Sequence, residues 1–324
     1  MSSILCIAAT AFFNDRGCHV RIMNIAGRLR NKNILCYAGG REMEGIASVR
    51  IPPLFGSIDI IGFSWKKLIL DLMLLLKGVR SVRKENYDKM LAFTHEAGLI
   101  AMILSAVTKR EYILDYQGSM SQEMKLAGVL PGRPPFIYAV RFIENMIESK
   151  AKLIIYNTHF AYNNSVKDKK MLIDDSRFNP PVGRSIRSFR EGNETIVLWM
   201  GVFSDVQGMD ALAEIIEQTR GSDVKFVVVG FPLTDNIREQ LDRGNVILTG
   251  RIPWQYVPGI VEDADICIST KNRSSEGSGK LHLFKQYCSS VIALRSRASE
   301  EILSPGEIAD STDEIASRIK NWSK

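Results

Sequence analysis

Cysteine is scarce in this chain of 324 residues, and what there is lies scattered. The five residues, Cys6, Cys18, Cys36, Cys267 and Cys288, form no CxxC pair. Their spacing argues against a zinc site and points to a reducing compartment rather than a disulfide scaffold. A long apolar run is missing as well. The greasiest stretch past the amino terminus, 68–76, is interrupted by Asp71 and is too short to cross a bilayer. The amino terminus has an apolar burst but neither a preceding basic segment nor a small-residue cleavage site, so it reads as a first strand and not as a signal peptide. No GxGxxG follows a strand and no P-loop pattern occurs, which leaves a nicotinamide-dependent oxidoreductase without its phosphate loop. Internal repeats and low-complexity tracts do not stand out.

What is present fits a soluble α/β protein. A hydrophobic share of 45% with 24% charged residues excludes a disordered or fibrous chain, and the length suits two domains of about 150 residues each. The net charge of +6 is unevenly spread. Residues 1–190 carry 28 Lys and Arg against 16 Asp and Glu, a net +12, while residues 191–324 carry 14 against 20, a net −6. Such polarity suggests that the first half faces something anionic. Its cations sit beside apolar residues, as in SWKKLILDLMLLLKGVRSVRK (64–84), and no DNA- or RNA-binding signature accompanies them. An anionic membrane surface or a lipid-phosphate substrate is therefore expected, and nucleic acid is not. An ordinary amphipathic helix with a solvated basic face reads the same way.

Apolar bursts alternate with stretches of helical spacing along the whole chain. In the second half the bursts are TIVLWMG (195–201), VKFVVVG (224–230), NVILTG (245–250), DICIST (265–270), SVIALR (290–295) and EIADS (307–311). SILCIAAT, NILCYAG, KMLAFTH, EYILDYQ and AKLIIYNTH play that part in the first half. Val- and Ile-rich strands separated by helices of about 10 to 15 residues imply doubly wound parallel sheets. The segment 177–194, with adjacent prolines, glycines and charges, has the composition of a linker. The expected architecture is two Rossmann-like domains, 1–185 and 186–324, facing a cleft.

The loop after DICIST, KNRSSEGSGKLHLF, lies where an open parallel sheet gathers its ligands. Gly277 and Gly279 let backbone N–H groups approach an anion, a helix starting near Lys280 adds unpaired donors, and Lys271, Arg273 and Lys280 add charge. Glu276 would repel phosphate and suits sugar hydroxyls better. A second strand-to-helix loop, GVFSDVQG, has Gly201 and Gly208 at its ends. A capped surface turn is the alternative reading of EGSGK.

These segments, with DRGCHVRIMNIAGRL, AFTHEAGLI, LDYQGSMSQEM and ILTGRIPWQYVPGIVEDADICIST, resemble in order and spacing a GT-B glycosyltransferase of the family 4 type, nearly end to end. The resemblance implies a retaining transferase that uses a nucleotide-sugar donor, with no metal and no cofactor beyond that donor. It places the donor on the second domain and a glycan or lipid-linked acceptor on the first; the cysteine usage points to the cytoplasm, and the basic first half to the inner face of the cell membrane. It implies that Glu276 holds donor-sugar hydroxyls, that Gly277, Ser278, Gly279 and Lys280 meet the sugar and diphosphate, that His95 touches the sugar near the leaving bond, and that Gly17 lies below the phosphates. Two positions depart from the pattern. The second motif glutamate falls near Leu283 or Phe284, and the usual lysine before Gly208 is Gln207, which leaves Lys271 and Arg273 to meet diphosphate charge. A weak or inactive homologue that binds nucleotide or a partner protein is the alternative. Asp115 and Glu123 are open to acceptor contact or to capping and surface charge. His19, His159 and His282 read as structural.

Overall fold

The computed structural model describes residues 3–55, 64–126, 134–178, 188–242, 245–271 and 277–322. The chain forms two compact units, Met1–Asp174 and Asp175–Lys324, which divide just ahead of the expected linker.

The first unit holds strands β1 (Ile4–Ala8), β2 (Lys32–Cys36), β3 (Ala47–Arg50), β4 (Lys89–Phe93), β5 (Glu111–Tyr116), β6 (Leu153–Tyr156) and β7 (Lys170–Leu172). Among the described residues these make one seven-stranded sheet in the order β3-β2-β1-β4-β5-β6-β7, parallel throughout. Its helices are α1 (Gly17–Gly27), α2 (Trp65–Glu85), α3 (Thr94–Thr108), α4 (Met120–Leu126), α5 (Pro134–Lys150) and α6 (His159–Asn164). Leu5, Ile7, Leu35, Met90 and Ala92 are buried in the central strands, whose apolar runs are continuous because helices cover both faces. Right-handed crossovers put α2, α3 and α5 on one side of the sheet, where α3 packs on β4 and β5 and is flanked by α2 and α5.

The second unit repeats the plan with β8 (Thr195–Val202), β9 (Val224–Phe231), β10 (Val246–Gly250), β11 (Ile266–Ser269), β12 (Ser290–Leu294) and β13 (Ile308–Ala309). Their order is β10-β9-β8-β11-β12-β13, again parallel. The helices are α7 (Met209–Gln218), α8 (Asp235–Leu241), α9 (Val257–Asp263), α10 (Gly279–Tyr287), α11 (Arg297–Ile302) and α12 (Thr312–Lys320). One apolar cluster lies under α7 and α12, with Trp199, Phe226 and Ile315 fully buried, and a second lies under α9 and α10, with Leu198, Val227 and Phe284.

Every apolar burst quoted from the sequence contains a strand. Two strands had no burst to announce them: β3 and β7 are short, partly polar edges. KMLAFTH ends as a strand at Phe93, and Thr94 and His95 already open α3.

Candidate functional site

Each sheet has one place where the strand order reverses, between β1 and β4 in the first unit and between β8 and β11 in the second. Loops leaving the carboxyl ends of those strands diverge and leave room for a ligand. Four of the singled-out positions lie there: Gly17 follows β1, His95 follows β4, Gly208 follows β8 and Lys271 follows β11.

In the second unit the two strand ends are tied by a polar node. The indole Nε1 of Trp199, a fully buried residue of β8, donates to Thr270 Oγ1 at 2.9 Å, and that hydroxyl donates to the Gln207 carbonyl at 2.8 Å. Lys280, in the first turn of α10, sends its Nζ to Gln207 Oε1 and to the Met200 carbonyl, both at 3.0 Å, and lies 5.4 Å from the centre of the Trp199 ring. Position 207 thus has an amide where a lysine was expected, and the cation reaches the same spot from α10. Burial, reinforced by the nearby charge of Lys271, pushes the Lys280 ammonium down to about 7. Lys271 is itself buried.

The glycines of the two loops have distinct reasons. Gly208 sits at φ +73, and a Cβ there would lie 2.1 Å from the Thr270 carbonyl oxygen, so only glycine lets the α7 loop close on the end of β11. A Cβ on Gly201 would meet the Trp199 ring at 2.9 Å, so this glycine makes room for packing. At Gly279 the space a Cβ would fill lies 2.8 Å from the Asp175 carboxylate, which stands beside the amino terminus of α10 as a helix dipole favours. Ser278 is buried and immediately precedes α10 without capping it through its side chain, and Gly277 is half-buried. Glu276 and Arg273 lie outside the described residues.

In the first unit Gly17 opens α1 with nothing within 4 Å of the position its Cβ would take. The turn from β4 into α3 passes through Thr94 at φ +72, a conformation that a β-branched residue rarely adopts. This turn delivers His95, whose Nε2 donates to Glu148 Oε1 at 3.1 Å and whose ring meets Tyr116 edge-on. His95 is buried.

Asp115 is fully buried and does not serve as a surface carboxylate: Arg21 grips it through Nε at 3.1 and 3.0 Å and through a terminal nitrogen at 2.6 Å, and also donates to the Ile173 carbonyl at 2.8 Å. Burial of both partners makes removal of either one costly, about 3 to 5 kcal/mol for such pairs. His19 is buried and tied into the loop after β1: its Nδ1 accepts the Asn14 N–H at 2.9 Å and its Nε2 bonds Thr10 Oγ1 at 3.0 Å. The Trp199–Thr270–Gln207 node, Glu148 and the Arg21 clamp had no sequence signal, because each depends on partners far apart in the chain.

No family profile matches the chain, and no curated protein does. Solved structures do. HepE from Anabaena, in complex with UDP and glucose, is similar over 99% of this chain and 89% of its own, with a TM-score of 0.73 at 16% identity. The chain has the GT-B fold. Sucrose-phosphate synthase from Thermosynechococcus elongatus matches 98% of this chain and 89% of its own at a TM-score of 0.72 and 14% identity. A UDP-forming α,α-trehalose-phosphate synthase from Burkholderia xenovorans matches 100% and 93% at 0.71 and 9%.

Proposed function

We propose that this GT-B chain is a glycosyltransferase that moves a sugar from a nucleoside-diphosphate donor to a glycan or lipid-linked acceptor, in the synthesis of cell-surface polysaccharide or glycoconjugate. The observation that carries this reading is the strand-end node of the second unit, where Lys271 and Lys280 stand together at the sheet's reversal point beside the start of α10. Two enclosed cations repel one another, and a diphosphate relieves that repulsion. HepE, similar over nearly its full length, holds UDP-glucose in one of its structures, which supports the same class of ligand here.

In this reading the second unit binds the donor and the first binds the acceptor. The N–H groups of Gly277, Ser278 and Gly279, with Lys271, Arg273 and Lys280, meet the diphosphate, Gly201 and Gly208 shape the second loop, and Glu276 holds sugar hydroxyls. Gly17 and His95 belong to the same reaction from the first unit. Transfer with retention breaks the bond from the anomeric carbon to the diphosphate oxygen and forms one to the acceptor oxygen on the same face. The acceptor proton passes to the departing phosphate. Fixed N–H donors and cations stabilise the charge that grows there, with no metal or cofactor needed.

A second reading, a protein that holds a nucleotide without turning it over, is favoured by two observations. The Lys280 ammonium already has two protein acceptors, and a carboxylate stands beside Gly279. Calorimetry with UDP, together with donor turnover, separates the readings. Glu276→Gln is expected to lower turnover about ten- to a thousandfold, or about 1.4 to 4 kcal/mol, and to leave UDP binding nearly intact. Lys280→Ala is expected to weaken UDP itself. Wild-type protein that binds UDP but neither hydrolyses nor transfers any nucleotide sugar favours the second reading, and unchanged affinity and turnover in both variants sinks the donor site.

A further inference from the structure

All fifteen large apolar side chains exposed among the described residues belong to the first unit. Eleven of them sit on α2, α3 and α5, the three helices that share one side of its sheet. The pattern on α2 is the reverse of an ordinary surface helix. Leu70, Leu74, Gly78 and Val82 face the sheet, and at 100° per residue the diametrically opposite face carries Trp65, Leu68, Ile69, Leu72 and Leu76, each 36 to 60% exposed. That outer stripe runs about 16 Å along the helix. Leu99, Ile103 and Val107 continue it on α3 at four-residue spacing, and Phe136, Tyr138 and Phe142 add exposed aromatic rings on α5.

Cations border the stripe. Lys66, Lys77, Arg80 and Lys84 fall along one flank of α2, and Arg83 follows the stripe at its carboxyl end. Lys67 is not among them, because it turns inward to Glu96 at 2.6 Å. The first unit carries 24 Lys and Arg against 15 Asp and Glu, and the second 18 against 21, so positive charge and exposed apolar surface coincide on one unit. An apolar outer stripe with a basic flank along α2, continued on α3 and joined by exposed aromatic rings on α5, matches the boundary between lipid headgroups and acyl chains. A second copy of the chain fits less well, since an antiparallel two-fold pairing of α2 brings two cationic flanks together.

We propose that the outer faces of α2, α3 and α5 dock on an anionic lipid bilayer, with the apolar stripe in the headgroup boundary and the α2 cations against lipid phosphates. This surface is argued independently of the donor site, and its failure leaves that site untouched. Full-length protein is expected to co-sediment with vesicles of phosphatidylcholine and phosphatidylglycerol much better than with phosphatidylcholine alone, and to come off as salt rises. Emission of the exposed Trp65 is expected to shift to the blue on binding, a change lost in Trp65→Phe. Each surface cation contributes about fivefold at low salt, so Arg80→Gln with Arg83→Gln is expected to weaken binding roughly twenty-five-fold. Leu68→Gln with Leu72→Gln is expected to weaken it at every salt concentration. These side chains are exposed, so the melting temperature of both variants is expected to stay at the wild-type value, which separates lost docking from lost fold. Equal sedimentation with neutral and anionic vesicles, or none with either, overturns the proposal. So does a dimer in sedimentation velocity that Leu68→Gln with Leu72→Gln converts to monomer, which assigns the face to a second copy.

Discussion

Lys280 carries its charge only conditionally. Its ordinary value of 10.5 falls to about 7, first because its ammonium is buried and then because Lys271 is near. Between those values the unfolded chain holds a proton that the folded chain lacks. The group therefore contributes stability that is present above the unfolded value and is lost as pH falls through about 7. A bound diphosphate reverses the preference by favouring the ammonium. UDP is expected to bind with uptake of a proton above neutral pH and to weaken as pH rises through 7, by at most about tenfold per unit. Calorimetry in two buffers of different ionisation enthalpy measures that proton, and Lys280→Ala is expected to abolish it. A flat affinity with no uptake separates Lys280 from the phosphates. The cation itself was visible in EGSGK, but its amide partner lies 73 residues away, and that contact decides how it is held.

Gly208 and Gly17 both begin helices after a central strand, and the elements around them treat a side chain differently. Gly208 caps α7 in the left-handed region with the Thr270 carbonyl in the way, so Gly208→Ala forces the loop off β11. A cost of about 2 to 4 kcal/mol is expected, read as a fall in melting temperature of several degrees together with lost UDP affinity. Gly17→Ala meets no atom and no positive φ, so the melting temperature is expected to hold. If Gly17 belongs to the transfer site, turnover falls all the same, and a fully active Gly17→Ala protein removes it from that site. Gly208 could be picked out from its place between a strand and a helix, and Gly17 from the family resemblance. Their difference lies in packing between β8 and β11, strands whose indole and hydroxyl partners are 71 residues apart.

Across the whole molecule, UDP is expected to act on one unit first. With UDP at about 100 times its dissociation constant the binding unit gains about 2.7 kcal/mol, which slows hydrogen exchange about a hundredfold where exchange requires that unit to open. Protection is expected to centre on the end of β8, the start of α7 and α10, and protection centred on residues 3–174 moves the donor site. Sequence by itself determined the class of the fold, because strands covered on both faces must be continuously apolar and their helices must carry one apolar stripe. It marked Gly201, Gly208, Gly277, Gly279 and Lys280 as loop positions, since parallel sheets gather their ligands where strands run into helices, and it showed the charge polarity, whereas Gly17 and His95 stood out only through the family resemblance. The strand order, and with it the reversal points, was left to the tertiary structure, because pairing joins segments that composition does not relate. So was the orientation of α2: the sequence left its apolar residues open to a membrane surface or a core face, and packing buried only one side of them. The fate of Asp115 was settled the same way, since its buried partner Arg21 comes from 94 residues earlier and only folding brings the two charges out of water together.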